Sequence, residues 1–455
     1  MRHWLVTSAD PEVVTATLRR TVELRKSGYE VGLLGPWEYR PSGLAKGLEY
    51  RQWRLDLPTP LRSAFAFESQ ADSMAVLCSL RSEDCKRRIV KAEFPLRGGL
   101  GAFSIRAKRA GLAFREAELL VGGPPPKPEP VTLTEEIVGR SVLERESMWE
   151  GQWEAEAASV ASPGERPTVS VVIPFFNLAQ YLPETVASVR RQTFRDFEIV
   201  VVNDGSTDPG CGTLLSRIDG GDVRVIHKAN GGLASARNAG FREARGKWVL
   251  PLDADDLIAP DYLEKTVRAL SRQPALSYVT TLVADFESSI EMPTGGWCPW
   301  GADPDLLPVM NCAGACTALF VRDDVLAAGG YDESLTAFED WELYARLAGQ
   351  GKEGLVLPEF LFFYRRRPNS MVRTEGATRR FELRSRLLQK HLGSASHPDR
   401  AARLLLAERE EVSERLRSAE GKSVARLFER GALGRKFLGV WRSLPLGVRQ
   451  RFLGK

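Results

Sequence analysis

The chain has 455 residues, of which 27% are charged and 43% hydrophobic, and its formal net charge is +4. This length is sufficient for two or more domains with full cores, and the composition is ordinary for a soluble protein. So small a net charge predicts no nucleic-acid partner. No run of 18 apolar residues occurs, so the sequence predicts no membrane-spanning helix.

The six cysteines are scattered and form no CxxC pair, and the chain has only four histidines. This pattern argues against a structural zinc site and favours free thiols in a reducing compartment. The start of the chain has only a short apolar run before Asp10, which predicts no signal peptide. We therefore expect a cytoplasmic protein.

Residues 1–122 alternate between strand and helix patterns and predict a smaller α/β domain of uncertain role. The expected strands are Trp4–Thr7, Val31–Leu34, Met74–Cys78 and Ala117–Val121, and the expected first helix is Glu12–Lys26. Arg97–Gly101 is glycine-rich and is either a phosphate-binding loop or, the more common case, a plain turn.

Residues 123–165 begin with a proline-rich, extended spacer and continue as a Glu-rich helical pattern. Such a spacer is typical of a domain boundary, so we expect the part of the chain that follows to fold on its own.

Three apolar runs follow the spacer, and each ends in a polar cluster. They are Val169–Ile173, Phe197–Val202 and Trp248–Leu250. Continuous Val/Ile runs separated by a helical pattern predict parallel strands that are buried on both faces. Ligands of such sheets bind at the carboxyl ends of the strands, where all three polar clusters fall.

The polar clusters have the chemistry of a nucleotide-sugar site. Asp253 and Asp255, separated by one small residue, can hold a hard divalent cation that neutralises a diphosphate. Asp204 can accept hydrogen bonds from a base or a ribose, and Phe176 offers an aromatic face. Arg237, on the helix after a glycine pair, can reach phosphate as a planar fork.

These clusters carry a family resemblance, because six short motifs occur in a fixed order. The motifs are VVIPFFN, QTFRDFEIVVVNDGSTD, GGLASARNAG, LDADD, the GGYDE and FEDW pair, and the Tyr364-Arg365 pair. Together they resemble the donor domain of the inverting family-two glycosyltransferases, over about 200 of the 455 residues. The resemblance implies a GT-A type, Rossmann-like, mostly parallel α/β sheet in residues 166–375.

Site roles follow from the same resemblance. It implies that Asp204 contacts the nucleobase and that Phe176, beside Pro174, stacks on or borders the base. It further implies that Asp253 approaches the ribose and that Asp255 binds Mg²⁺ or Mn²⁺.

Asp340 is implied to be the catalytic base, which takes the proton of the acceptor hydroxyl. Its local sequence is equally typical of an acidic residue that complements a helix dipole, and Glu339 would serve that purpose as well.

Two positions depart from the family pattern. Asn203 stands where an Asp is usual, and Arg367 stands near the place of a His that many relatives carry. The second departure leaves the contacts of that position with a diphosphate open. Between the third apolar run and Arg367, Trp297 and Trp300 lie in a loop and either stack on sugar rings or plug the domain surface.

Residues 376–455 have a helical, basic pattern and form the expected C-terminal tail. From 421 to 455 basic side chains alternate with aliphatic and aromatic ones, a pattern that fits peripheral contact with an anionic membrane or a helix packed on the donor domain.

The sequence therefore predicts a hexosyltransferase-like, metal-dependent enzyme with inversion, in glycan or glycolipid biosynthesis. Its donor would be a nucleotide sugar, first a UDP-sugar, and its acceptor a glycan, a glycolipid or a protein. The alternative is a non-catalytic nucleotide-sugar-binding scaffold for a partner glycosyltransferase. Nucleotidyl transfer is disfavoured, because no glycine-rich, Arg/Lys-bearing loop follows Val169–Ile173 directly.

Overall fold

The computed structural model describes two sheets and the helices that flank them. It covers residues 2–7, 11–27, 29–36, 48–53, 59–62, 68–86, 89–95, 102–114, 117–122, 167–368, 370 and 379–391.

The first sheet is formed by the N-terminal part of the chain and is entirely parallel. Its strands are β1 (Arg2–Val6), β2 (Glu30–Pro36), β3 (Glu49–Trp53), β4 (Ile89–Pro95) and β5 (Glu118–Gly122), in the order β3-β2-β1-β4-β5. Its helices are α1 (Pro11–Lys26), α2 (Thr59–Arg62), α3 (Glu68–Lys86) and α4 (Ala102–Arg109). The predicted α/β character of this region is confirmed.

One predicted element of this sheet is wrong. Met74–Cys78 was expected to be a buried strand but lies in the middle of helix α3. Met74, Ala75, Val76 and Leu77 are all buried there. A short apolar run that is buried throughout cannot be assigned to strand or helix by periodicity alone, so the sequence had no means of separating the two.

The second sheet has nine strands and carries the three predicted polar clusters. Its strands are β6 (Val169–Phe175), β7 (Phe197–Asp204), β8 (Val223–Lys228), β9 (Trp248–Pro251), β10 (Leu257–Ile258), β11 (Leu276–Phe286), β12 (Gly295–Trp297), β13 (Leu319–Val321) and β14 (Glu353–Arg365). The order is β10-β14-β11-β13-β9-β6-β7-β8, with β12 paired to β11. Strands β9, β6, β7 and β8 are parallel, and β13 is antiparallel to both of its neighbours.

Helices cover this sheet and supply its two cores. They are α5 (Leu182–Arg190), α6 (Cys211–Ile218), α7 (Leu233–Glu243), α8 (Tyr262–Arg272), α9 (Arg322–Ala327), α10 (Glu339–Gly349) and α11 (Arg380–His391). The apolar face of α5, formed by Leu182, Val186 and Val189, is buried with residues of β6 and β7 in one apolar cluster. The predicted mostly parallel α/β architecture with helices is therefore confirmed.

The two sheets share an apolar cluster. Phe94 and Phe103 of the N-terminal region pack in one buried group with Leu282, Cys298 and Val356 of the larger sheet. Polar contacts border this cluster: Arg81 donates to Glu359 at 2.9 Å, and Arg106 donates to the carbonyl oxygen of Trp300. The domain boundaries stay a prediction, but removal of residues 1–122 would expose apolar side chains of the larger unit.

The proline-rich spacer, the Arg97–Gly101 loop and the basic segment 421–455 lie outside the described residues. Across the ranges given above, no helix is long and apolar enough to cross a membrane.

Candidate active site

The ends of β6 and β7 are joined into one surface by Asn177. This residue has a left-handed backbone (φ 54°), and its side-chain oxygen accepts hydrogen bonds from the backbone N–H groups of Thr207 and Asp208, at 2.9 and 3.0 Å. Its own N–H donates to the hydroxyl of Ser206 at 3.1 Å. These bonds fix the loop after β6 against the loop after β7, so the first two polar clusters lie side by side.

Pro174 and Phe176 occupy the predicted end of β6. Pro174 is buried opposite Val202, beyond the point where the pairing of β6 with β9 ends at Val172. Its missing N–H therefore costs no ladder bond to β9. Phe176 is 44% exposed, an unusual position for a large apolar ring. An exposed ring at a strand end is available for stacking, and its contact with a nucleobase stays a prediction.

Asp204 has a structural task that the sequence did not reveal. Its carboxylate is 3% exposed and accepts hydrogen bonds from Lys228 Nζ at 2.5 Å and from the N–H groups of Gly231 and Gly232, at 3.0 and 2.8 Å. A Cβ at Gly231 would lie 2.8 Å from the hydroxyl of Ser235 and 2.9 Å from Lys228 Nζ, so a larger residue would force these side chains to move. Asp204 holds the glycine loop in place, and its contact with a nucleobase stays a prediction.

The turn after β9 concentrates negative charge. Asp255 and Asp256 are buried, and Asp253 is partly exposed. Burial and the charge of Asp253 raise the pKa of Asp255, and burial and the charge of Asp255 raise the pKa of Asp256. Within the described part of the chain, one carboxylate oxygen of Asp256 has no hydrogen-bond partner. This turn is therefore stabilised by any positive charge placed beside it.

Two arginines at the end of β14 supply positive charge to this turn. Arg365 donates from Nε to the carbonyl oxygen of Asp255 at 2.8 Å and from Nη2 to Glu184 at 2.5 Å. Arg367 donates from Nε to the Asp255 carboxylate. Both guanidinium groups also lie over the ring of Tyr181, at 5.1 and 5.6 Å. Arg367, whose role the sequence left open, thus contacts the residue that was predicted to bind metal.

The donor set of the turn fits a divalent cation only in part. Among the residues that the structure describes, no group of three or more His, Cys, Asp and Glu side chains could enclose a metal ion. The crowded carboxylates of Asp253 and Asp255 supply hard oxygen donors, and Mg²⁺ commonly completes its coordination with water and substrate phosphate. Asp255 could therefore hold a cation that takes its other ligands from a diphosphate.

Arg237 is held differently from the predicted phosphate contact. It is 1% exposed on α7, and both terminal nitrogens donate to carboxylates: Nη1 to Glu339 at 2.6 Å and Nη2 to Asp253 at 2.7 Å. Its guanidinium lies 5.4 Å from the centre of the Tyr331 ring. The two carboxylates thus occupy both terminal nitrogens of Arg237, and its contact with phosphate stays a prediction.

Asp340 lies in the first turn of α10, which begins after Phe338 in a left-handed conformation (φ 65°). The carboxylate of Asp340 accepts a hydrogen bond from the N–H of Trp341 at 2.7 Å. Burial, followed by the charge of Glu339, raises the pKa of Asp340 to about 7. A carboxyl with a pKa near neutrality can exchange a proton with a substrate at ordinary pH, as a general base must.

The buried face of α10 holds the start of this helix in place. Trp341 Nε1 donates to the carbonyl oxygen of Leu307 at 2.6 Å, and the hydroxyl of Tyr344 donates to the carbonyl oxygen of Ala315 at 2.6 Å. Leu347 is buried one turn further on. The acids of the first turn are also favourable for the helix dipole, so both interpretations of Asp340 that the sequence left open are compatible with its position.

Two further residues of the site had no predicted role. Cys316 Sγ lies 3.7 Å from Asp253 Oδ2, and burial followed by the charge of Asp253 raises its thiol pKa well above the usual range. Tyr331 is buried against Arg237, and its hydroxyl has no hydrogen-bond partner among the described residues. The two tryptophans that were expected in a loop differ. Trp300 is buried in the core beside α10, whereas Trp297 is partly buried and lies in strand β12, so the expected loop is wrong for Trp297.

Comparison with known proteins identifies the central part of the chain. Residues 170–320 match the model of the family described as "Glycosyl transferase family 2". The chain is 31% identical over 185 residues to an uncharacterized glycosyltransferase of Rickettsia prowazekii. The aligned residues make up 39% of this chain and 58% of that protein. It is 29% identical over 188 residues to the chondroitin synthase of Pasteurella multocida. Here the aligned residues make up 41% of this chain and 19% of that protein. The chain thus spans less than two thirds of either relative.

Solved structures give a weaker likeness. The TarS protein of S. aureus in complex with UDP-GlcNAc has a TM-score of 0.44 at 20% identity, over 53% of this chain and 72% of that one. A mannosyltransferase of Pyrobaculum calidifontis in complex with GDP-Man and Mn²⁺ has a TM-score of 0.39 at 19% identity, over 70% of this chain and 94% of that one. The sheet order and the family match together agree with the predicted GT-A type α/β fold. Over residues 170–320 this chain is therefore similar to the members of glycosyl transferase family 2.

Proposed function

We propose that this chain transfers a sugar from a nucleotide-sugar donor to an acceptor hydroxyl, with inversion at the anomeric carbon. The observation that carries this proposal is the charged network at the end of the large sheet. In this network Arg237 joins Asp253, after β9, to Glu339, beside Asp340. A site that brings acidic strand ends next to a carboxyl with a pKa of about 7 has the groups that a single displacement needs.

The donor would lie along the carboxyl ends of β6, β7 and β9. Phe176 would stack on or border the nucleobase, with Asp204 contacting it, and Asp253 would approach the ribose. The diphosphate would face Asp255, where Arg367 offers a guanidinium. A bound Mg²⁺ or Mn²⁺, held by Asp255, would neutralise the charge that develops on the diphosphate.

Asp340 would accept the proton of the acceptor hydroxyl. The acceptor oxygen forms a bond to the anomeric carbon while the bond from that carbon to the diphosphate oxygen breaks. The electron pair of the broken bond leaves with the nucleoside diphosphate, and the proton moves to Asp340. No covalent intermediate with the protein forms, so the configuration of the anomeric carbon inverts.

The organisation of the chain is part of the proposal. Residues 166–375 would form the donor-binding domain, residues 123–165 a linker, and residues 376–455 a basic tail that lies peripherally on a membrane through 421–455. The shared apolar cluster supports a role for residues 1–122 in holding the Trp300 loop. The acceptor would be a glycan, a glycolipid or a protein.

The test is a panel of nucleotide sugars with Mn²⁺, scored by thermal shift and by release of nucleoside diphosphate. A true donor at about 100 times its dissociation constant should stabilise the fold by about 2.7 kcal/mol. We expect at least one UDP- or GDP-sugar to bind and to be hydrolysed slowly without an acceptor. Binding without any release would favour the non-catalytic scaffold.

A further inference from the structure

The buried guanidinium of Arg237 bridges two parts of the site that are distant in sequence. Its Nη1 donates to Glu339 at 2.6 Å and its Nη2 to Asp253 at 2.7 Å, so one planar group spans a strand end and a helix start. The arginine belongs to helix α7, which is a third element beside the strand end and the helix start. Three segments that do not adjoin in sequence therefore meet at a single side chain.

This arrangement is geometrically demanding. A guanidinium is rigid and permanently charged and presents donors in two directions, whereas a lysine ammonium is a single point charge. Arg237 is also packed over the ring of Tyr331, and its Nε has no hydrogen-bond partner among the described residues. A buried charge with one unsatisfied donor is costly, so its other partners must hold it firmly.

We propose that Arg237 is a positioning residue that couples Asp253 to Glu339 and thereby fixes the orientation of Asp340 at the start of α10. The inference rests on the proposed function, because Asp253 is there the ribose contact and Asp340 the base. It also differs from the phosphate contact that the sequence suggested for Arg237. A displacement of Asp253 on donor binding would move Arg237 and, through Glu339, the first turn of α10.

The charges around Asp340 predict how a change at Arg237 should alter the pH dependence of the rate. The groups that face it are Glu339, Arg237, Asp253, Cys316, Tyr331 and Tyr344. Arg237 is the one cation of this set and lowers the pKa of Asp340, against burial and the acids, which raise it. Loss of the guanidinium charge would leave Asp340 protonated to higher pH. The acidic limb of the pH–rate profile would therefore move to higher pH.

The test compares Arg237→Lys and Arg237→Met with a matched control, Arg346→Lys. Arg346 also makes an ion pair with a buried acid of α10, Glu342, at 2.6 Å, and it lies one turn further along the helix than that acid. For Arg237→Lys we expect kcat to fall by about 10²-fold, as a small misplacement of a catalytic group can cause. The donor KM should change less than kcat. For Arg237→Met, which removes the positive charge, the acidic limb of kcat/KM should move to higher pH.

The control variant should lose some stability and leave the acidic limb where it is. If Arg237→Lys instead raises the Kd for nucleoside diphosphate and leaves kcat unchanged, and Arg237→Met leaves the acidic limb unchanged, Arg237 binds phosphate and the inference is wrong. It is also wrong if Arg237→Lys and Arg346→Lys have the same effects, because Arg237 would then be a general structural residue.

A second measurement needs no substrate. Arg237→Met and Glu339→Gln are combined in a double-mutant cycle by urea unfolding, and the same is done for Arg237→Met and Asp253→Asn. We expect non-additive effects in both cycles, with each neutralised acid relieving part of the damage of Arg237→Met. Additive effects in either cycle would refute the bridge. If Arg237→Met does not fold, Arg237→Lys replaces it in both cycles.

The two measurements separate the inference from the function on which it rests. A chain that turns over no donor but shows coupling in both cycles contradicts the proposed function and keeps the bridge. A chain that turns over donor and shows additive cycles contradicts the bridge and keeps the function.

Discussion

The substitution Asp340→Asn tests the proposed base with little disturbance of the fold. Asparagine has nearly the same shape as aspartate, and its side-chain oxygen can still accept the N–H of Trp341 that the carboxylate accepts at 2.7 Å. The amide cannot take a proton from an acceptor hydroxyl. A positioned general base contributes about 10²–10⁴-fold to the rate. We therefore expect kcat to fall by that factor, which corresponds to about 3–5 kcal/mol in the barrier.

The same substitution should change stability in a direction set by the raised pKa of Asp340. Its pKa is about 7 in the folded chain and about 3.9 in an unfolded one. The ionised form is therefore disfavoured in the fold, and the parent protein loses stability as the pH rises from about 4 through about 7. The loss is up to about 4 kcal/mol at 1.36 kcal/mol for each pKa unit. Asparagine resembles the protonated acid, so the variant should be more stable than the parent at pH 8.

The assay is donor hydrolysis and transfer at several pH values, together with thermal unfolding at pH 5 and pH 8. Asp323→Asn is the matched control, because the Asp323 side chain is 89% exposed on α9 and pairs with Arg322. It should change neither turnover nor the pH dependence of unfolding. An Asp340→Asn variant that keeps its turnover and loses donor affinity would refute the assignment, and Glu339 would be the next candidate.

Three further predictions concern other parts of the chain. Asp255→Asn should abolish transfer and donor hydrolysis, keep the fold, and lose any thermal shift on addition of Mn²⁺ with nucleoside diphosphate; parent-like activity at all Mn²⁺ concentrations would exclude the metal role. A chain that starts at residue 166 should unfold at a lower temperature and bind a hydrophobic dye, because Leu282 and Val356 lose their buried partners; an unchanged unfolding temperature would favour the independent unit that the spacer predicts. Flotation with anionic liposomes should capture the full chain more strongly than one that ends at residue 420, and equal binding of both would contradict membrane contact through 421–455.

The strands that carry the site could be predicted because their sequence signal is local. The Val/Ile runs of β6, β7 and β9 are buried on both faces and end at the polar clusters. Strand β8 was not predicted. It lies at the edge of the sheet, and most of its residues are only partly buried, so Val223–Lys228 has no continuous apolar run.

The acids at the strand ends could also be predicted from the sequence, but the side chains that pair with them could not. Asp253 and Asp255 could be selected from their spacing after a strand. The partner of Arg237 on α10 lies 102 residues further along the chain, and Arg367 lies 112 residues after Asp255. No periodicity or spacing rule relates such positions, because only the completed sheet brings them together. The phosphate role expected for Arg237 followed from the local helix and did not include these partners.

The contact between the two sheets was hidden from sequence for a similar reason. The proline-rich spacer is typical of separate domains, yet Phe94 and Phe103 pack with Leu282 and Val356 across the boundary. Apolar residues on a surface helix or strand look the same in sequence whether they face their own core or a neighbouring unit.

The central claim, sugar transfer with inversion, is tested most directly by following a bound donor by ¹H NMR. A nucleotide sugar with an α-configured anomeric carbon that stabilises the parent protein is incubated with Mn²⁺ and an acceptor, and the anomeric signals are recorded in time. The account predicts loss of the α-anomeric donor signal, appearance of a β-linked product with free nucleoside diphosphate, and no such change with Asp340→Asn. A donor that binds and stays intact, or an α-linked product, would contradict it.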